Sequence, residues 1–167
     1  AISGFKPYVE IMFGDFVPLA MDQIINNSSK FNHMYNKQVN CPIVLRTPMG
    51  GKRGYGPTHS QTLDKFLIGI DNVKTIALNS LLNPSEIYFS VNEELNPVIV
   101  IENKLDYGRL VGLKLPSFYE AYKTDESYPV VKLSPVSFNP ELTIVTYGGM
   151  VQSCIDSIEL IFSEFEI

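Results

Sequence analysis

The chain has 167 residues, 45% of them hydrophobic and 19% charged, with a net charge of −5. That is room for one domain and a little more in ordinary globular proportions, which excludes disorder and low complexity. No apolar run reaches the roughly 20 residues that span a bilayer. We expect no secretory leader, and Cys41 and Cys154 stand far apart with no CxxC, which speaks for a reducing compartment over a disulfide scaffold or a zinc module.

Charge is uneven along the chain. Residues 1–60 hold six Lys/Arg against three acids, and residues 61–167 hold seven against fifteen. The bases form no run of the kind that marks a nucleic-acid tail.

No repeat occurs at the periods of solenoids or propellers. Tyr8–Met12 reads as a strand, and residues from about Val17 to Tyr35 read as a helix with apolar positions three and four apart. Pro42–Arg46 is a continuous apolar strand that runs into a loop, TPMGGKRGYGPT, with four glycines and two prolines. A short helix is expected around Thr62–Ile68 and a strand at Lys74–Leu78. Asn83-Pro84-Ser85-Glu86 starts a helix, with a cap residue, proline at the first helical position and an acid close behind; it should run to about Glu94. Pro97–Ile101 is a fourth strand.

Strands alternating with helices predict an α/β domain, a largely parallel sheet sandwiched between two helical layers. Residues 104–140 hold Pro116, Pro129, Pro135 and Pro140 and many aromatics without a clear period, and read as an extended connection. Leu142–Tyr147 should be a strand and Met150–Phe165 an amphipathic helix. The expected organisation is a domain over 1–103, a connection over 104–140 and the first strand and helix of a second α/β domain over 141–167. Ala1-Ile2-Ser3-Gly4 reads as the last turn of a helix closed by glycine, so the chain is expected to be an internal piece of a longer protein.

Standard catalytic strings fail: there is no GxSxG, no HExxH, and no Walker A, because Arg53 follows Lys52. Glycine N–H groups beside Arg46, Lys52 and Arg53 could form a generic anion site, or the segment could be a basic surface loop. His59 lies between that loop and a helix, at the strand-exit edge where α/β sheets bind ligands. Histidine exchanges protons near neutral pH, so it is a candidate acid or base; a capping histidine without chemistry is the alternative. Met12-Phe13-Gly14-Asp15-Phe16 leaves the first strand at the same edge and could face a flat ring, or could be ordinary packing.

Specific strings go further. Val9-Glu10-Ile11-Met12-Phe13-Gly14-Asp15-Phe16, Met21–Asn26, Ile43–Gly51, Gly54–Gln61, Asn96-Pro97-Val98 and Thr143–Gly148 resemble the beta subunit of thiamine-diphosphate-dependent 2-oxo acid dehydrogenases. The likeness runs in order over nearly the whole chain except 104–140. It implies a transketolase-like pyrimidine-binding domain. Thiamine diphosphate would lie between two subunits, with the diphosphate and Mg²⁺ held by an alpha subunit whose Gly-Asp-Gly…Asn motif is absent here. Phe16 would stack on the aminopyrimidine, Met12 would line its pocket, and His59 would stand near the reacting carbon during acyl transfer to lipoyl. The implied partners are the alpha subunit, a second beta subunit and the lipoyl domain of the acyltransferase. Loop 46–53 is expected at the cofactor entrance.

Some members carry a potassium ion whose ligands correspond to Ile43, Val91, Asn92, Glu94 and Asn96; Glu94 stands where the family has Asp. The glutamate that activates the cofactor would precede Ala1, so this piece alone should be inactive and should expose apolar surface. A transketolase or deoxyxylulose-phosphate synthase relative acting on sugar phosphates, and an anion-binding module without catalysis, are the competing readings. A bacterial cytoplasm is the expected location, or the mitochondrial matrix in a eukaryote.

Overall fold

The computed structural model describes residues 1–112, 115 and 118–165. Pro116 falls outside them. Four strands form one parallel sheet: β1 (Tyr8–Glu10), β2 (Val44–Met49), β3 (Lys74–Ala77) and β4 (Val98–Asn103), in the order β1-β2-β4-β3. Val44 pairs with Tyr8 on one side and Val98 on the other, so the first residues of β1, β2 and β4 are level. All four strands therefore end at one edge.

Period-two alternation divides the apolar strand residues between two faces. Leu45, Met49, Ile99 and Ile101 pack with Val17, Ile24 and Leu67 on one side. Val44, Val98 and Val100 pack with Ile87 and Val91 on the other. Both faces of β2 and β4 are buried, which is why these strands read as unbroken apolar runs. Helix α2 follows β3 and covers the second face. It spans Pro84–Glu93 as the cap predicts, and the Asn83 side chain accepts a hydrogen bond from the Ser85 N–H at 3.0 Å.

The long helix expected over Val17–Tyr35 is broken into pieces. Gly14–Ala20 is a 3₁₀ segment, Gln23–Ser28 winds as a π-helix, and only Phe31–Met34 forms a short α1. Pro18 has no N–H to donate to the ladder. Ser28 and Ser29 hydroxyls bond back to the carbonyls of Ile24 and Ile25, and the Ser29 N–H reaches Ile24, which is the five-residue step of the π-turn. The expected helix near Thr62–Ile68 is a single 3₁₀ turn, Asp64–Phe66.

Two further differences lie beyond β4. The stretch 104–140 contains an antiparallel hairpin, β5 (Tyr119–Lys123) with β6 (Val131–Pro135). Leu142–Tyr147 forms no strand, since no neighbouring strand offers it a ladder, and Val145 is 92% exposed. Helix α3 (Met150–Phe165) does form, burying Val151 and Ile155. Its start is seated on the sheet edge: Tyr147 donates to the buried Asp64 at 2.6 Å, and a Cβ on Gly149 would lie 1.7 Å from the Asn103 amide. Among the described residues no helix is long and apolar enough to cross a membrane.

Candidate active site at the strand-exit edge

Three segments leave the sheet at its C-terminal edge and meet there. After β1 the chain turns through Phe13-Gly14. After β2 it runs through the glycine loop to a 3₁₀ turn, Pro57–His59. After β4 it enters Lys104. Gly14 is required by contact: a Cβ there would stand 2.3 Å from Met49 Cγ, near the stem of a fully buried side chain. Gly14→Ala should therefore cost about 1–3 kcal/mol, read as a lower urea midpoint; an unchanged midpoint would mean that Met49 repacks freely.

The side chains that meet are mostly aromatic. The His59 ring stands edge-on to Phe13 at 4.7 Å and to Phe16 at 5.3 Å between centroids. Phe13 also meets Phe16 at 6.0 Å and Tyr55 at 5.6 Å, both edge-on. Edge-to-face pairs within 7 Å are the favoured aromatic geometry, so the cluster holds its shape without a ligand. Phe16 remains 38% exposed and Met12 63% exposed, so apolar surface is open beside the cluster. His59 Nδ1 lies 2.9 Å from Thr58 Oγ1, and Nε2 makes no hydrogen bond among the described residues.

The cations have separate fates. Arg53 clamps the loop: it donates to the carbonyls of Gly50 (2.9 Å) and His59 (3.1 Å) and stacks over Tyr55. Lys104 sits 4.1 Å from the centre of the Phe13 ring. Arg46 is not free for an anion, because it bonds Glu10 at 2.7 Å and Glu102 at 2.6 and 3.2 Å. Of the three bases in the anion-site reading, Lys52 is the exposed one. Beneath the loop, Glu102 is 7% exposed and also accepts from Tyr88 (2.8 Å) and Tyr107 (2.5 Å). Burial pushes its carboxyl up, but the Arg46, Tyr107 and Tyr88 hydrogen bonds outweigh this and hold it below the usual carboxylate value.

The two acids that flank the Met12–Phe13 turn in sequence are held in different ways. Asp15 accepts from the Gln61 backbone and side chain at 3.2 and 3.0 Å, and its other oxygen is buried. Glu10 is held by Arg46. A cavity of about 570 Å³ opens at the same edge on the α3 side, lined by Met49, Gly50, Asn103, Tyr147, Gly149 and Asp156. His59 and Phe16 do not line it, so it is a neighbour of the aromatic cluster and not its pocket.

The residues matched to a potassium ion lie elsewhere, at the far end of α2. The carbonyls of Val91, Asn92 and Glu94 all accept from the Lys6 ammonium, at 2.7, 2.6 and 2.7 Å. The Ile43 carbonyl accepts the Val98 N–H of the sheet at 2.9 Å. The Glu94 carboxylate pairs with Lys74 and accepts from Tyr128. Asn96 is exposed and takes no part. A potassium ion does not fit here while the ammonium stands among those carbonyls.

Sequence reasoning had placed Met12, Phe16 and His59 at one edge, and all three are there. Phe13 stands in the segment already read as facing a flat ring; Tyr55 and Lys104 are the members of the cluster that the sequence reading does not single out. The available signal was position: each stands within a few residues of a strand exit or of the glycine loop.

The fold and this edge define the chain as a parallel α/β domain consistent with the transketolase-like pyrimidine-binding class. No family model matches the chain. Individual proteins do match. The beta-1 subunit of the mitochondrial pyruvate dehydrogenase E1 component of Arabidopsis thaliana is 32% identical over 98% of this chain and 44% of its own length. The Mycoplasma genitalium pyruvate dehydrogenase E1 beta subunit is 32% identical over 98% of this chain and 47% of its own. The Bacillus subtilis 2-oxoisovalerate dehydrogenase subunit beta is 26% identical over 95% and 46%. The chain is thus homologous over nearly its whole length to E1 beta subunits of 2-oxo acid dehydrogenases, and it spans somewhat under half the length of these relatives.

Proposed function

We propose that this chain is the aminopyrimidine-holding part of a thiamine-diphosphate-dependent 2-oxo acid dehydrogenase that passes its acyl group to a lipoyl carrier. The observation that carries this reading is the aromatic cluster: Phe16 presents an open face beside His59, at the sheet edge where the matching strings lead. The donor set fits a flat heteroaromatic ring. Phe16 offers a stacking face, Met12 an adaptable apolar contact, and Phe13 a wall that keeps water from one side. When bound, the cofactor supplies the carbon nucleophile and the electron sink for decarboxylation. On this reading His59 Nε2, which makes no hydrogen bond among the described residues, holds or delivers a proton beside it.

What the chain does not offer also fits a shared site. Glu10 is held by Arg46, and Asp15 has one oxygen on Gln61 and the other buried; on this reading the carboxylate that meets the pyrimidine is neither of them. The diphosphate and its Mg²⁺ are assigned to an alpha subunit, and a second beta subunit and the lipoyl domain of the acyltransferase complete the partners. On the same reading residues 1–103 are the pyrimidine domain, 104–140 connect, and 141–167 open the C-terminal domain.

The test is cofactor binding by the protein assembled with its alpha partner. Phe16→Ala is expected to weaken thiamine diphosphate affinity about 10-fold, and the parent protein should reduce an artificial acceptor with a 2-oxo acid as substrate. Unchanged cofactor affinity in Phe16→Ala would remove Phe16 from the site. Failure to turn over any 2-oxo acid would remove the reaction class.

A further inference from the structure

Gly4-Phe5-Lys6-Pro7 leads into β1, and its lysine crosses the molecule to the end of α2, 85 to 88 positions away in sequence. An α-helix leaves its last carbonyls without intrahelical partners, and they carry the negative end of the helix dipole. Here the carbonyls of Val91, which also accepts the Glu94 N–H at 3.2 Å, of Asn92 and of the capping residue Glu94 converge on one point. The Lys6 Nζ occupies that point at 2.6–2.7 Å from all three. An ammonium has three N–H donors and no acceptor, so the geometry uses its full capacity. These distances are those of charge-assisted hydrogen bonds.

Three convergent carbonyl oxygens are also what a bare monovalent cation uses in place of its hydration shell. Ammonium and potassium share charge and nearly share size. We propose that Lys6 is a built-in replacement for a monovalent cation at the end of α2, so that this protein does not need potassium to hold the turn between α2 and β4. Tethering the cation to β1 has a mechanical result that a free ion lacks. It ties the edge strand to the loop that sets the start of β4, and β4 ends at Asn103 beside the aromatic cluster.

The surroundings fit a cation supplied by the chain. Tyr8 donates to the Asn92 side chain at 2.6 Å, and Lys74 pairs with the Glu94 carboxylate, so the same loop is fastened from three sides. The resemblance led to an ion at this place; the residues here leave it neither charge to neutralise nor open oxygens to bind.

Thermal unfolding of the intact assembled protein tests this, in potassium chloride against tetramethylammonium chloride at equal ionic strength. The native protein should show the same midpoint in both salts, within about 1 °C. Lys6→Ala opens the space and should unfold several degrees lower in tetramethylammonium, with recovery that saturates as potassium is raised. Lys6→Met keeps the stem in the space and should stay low in both salts. A saturable potassium-dependent rise in the native protein would overturn the proposal, as would a Lys6→Ala variant blind to potassium. If the variants do not fold, crystals of the native protein grown in rubidium decide it. An anomalous peak among the Val91, Asn92 and Glu94 carbonyls would sink the idea, and its absence there supports it. None of these readouts depends on the catalytic reading.

Discussion

On the proposed reading, replacing His59 by alanine in the protein assembled with its alpha partner is expected to lower acyl transfer to a lipoyl carrier by about 100-fold or more, with thiamine diphosphate affinity changed by less than about 10-fold. The split follows from where the ring stands. The ring stands perpendicular to Phe13 and to Phe16, the residue proposed to stack on the pyrimidine, and Nε2 makes no hydrogen bond among the described residues, so on the proposed reading His59 acts on a reacting group more than it adds to the stack. Single-turnover decarboxylation measured apart from transfer to a lipoyl domain reads the two steps separately. His59→Gln keeps a polar side chain without an exchangeable proton near neutral pH, and should resemble alanine. If both variants lose cofactor affinity and activity in proportion, His59 is a wall of the pocket and takes no part in proton movement.

Glu102→Ala is expected to lower unfolding free energy by about 3 kcal/mol. Glu102 is nearly fully buried and gathers Arg46, Tyr88 and Tyr107 around it. Removing it leaves two phenol hydroxyls without their acceptor and Arg46 with only the exposed Glu10. The figure sits at the low end for a broken buried pair because Arg46 is one-third exposed and can recover water. Urea titration of the variant measures it. Arg46→Met combined with Glu102→Leu should recover part of the loss, since apolar replacement of both partners is often neutral. The pH dependence has a definite sign. The folded carboxyl lies below its ordinary value near 4.5, so its stabilisation is present above that value and fades as pH falls below it. Glu102→Gln should flatten that acid limb; a limb of unchanged slope would mean that other carboxylates set it.

Much of this arrangement is legible in the residues themselves. The strands at Pro42–Arg46 and Pro97–Ile101 announce burial on both faces, and Asn83-Pro84 announces the start of α2. These are local signals, set by apolar continuity and by backbone chemistry at a cap, and the fold keeps them. The strings around Phe16 and His59 come together for a related reason: stretches leaving neighbouring parallel strands emerge at one edge.

The helix after β1 was not legible in this way. Its spacing is helical, yet Pro18 and the paired serines redirect the hydrogen bonds, and the result depends on which carbonyls packing leaves open. The β5–β6 hairpin hides among prolines because each strand has few residues and its stability comes from the partner strand. Leu142–Tyr147 has the residues of a strand and no ladder to join.

The sequence by itself determined the class of fold, the edge at which Met12, Phe16 and His59 emerge and the kinship of the chain. Only the tertiary structure decided which charges are spent. Arg46, Arg53 and Lys6 look alike as basic residues near the start of the chain. One is neutralised by two acids, one straps a loop through carbonyls, and one donates to three carbonyls at the end of α2. The difference lies in partners that are up to 88 positions away in sequence, brought close when strands and helices pack. Electrostatic interaction depends on distance and burial, and neither is written in the local order of residues.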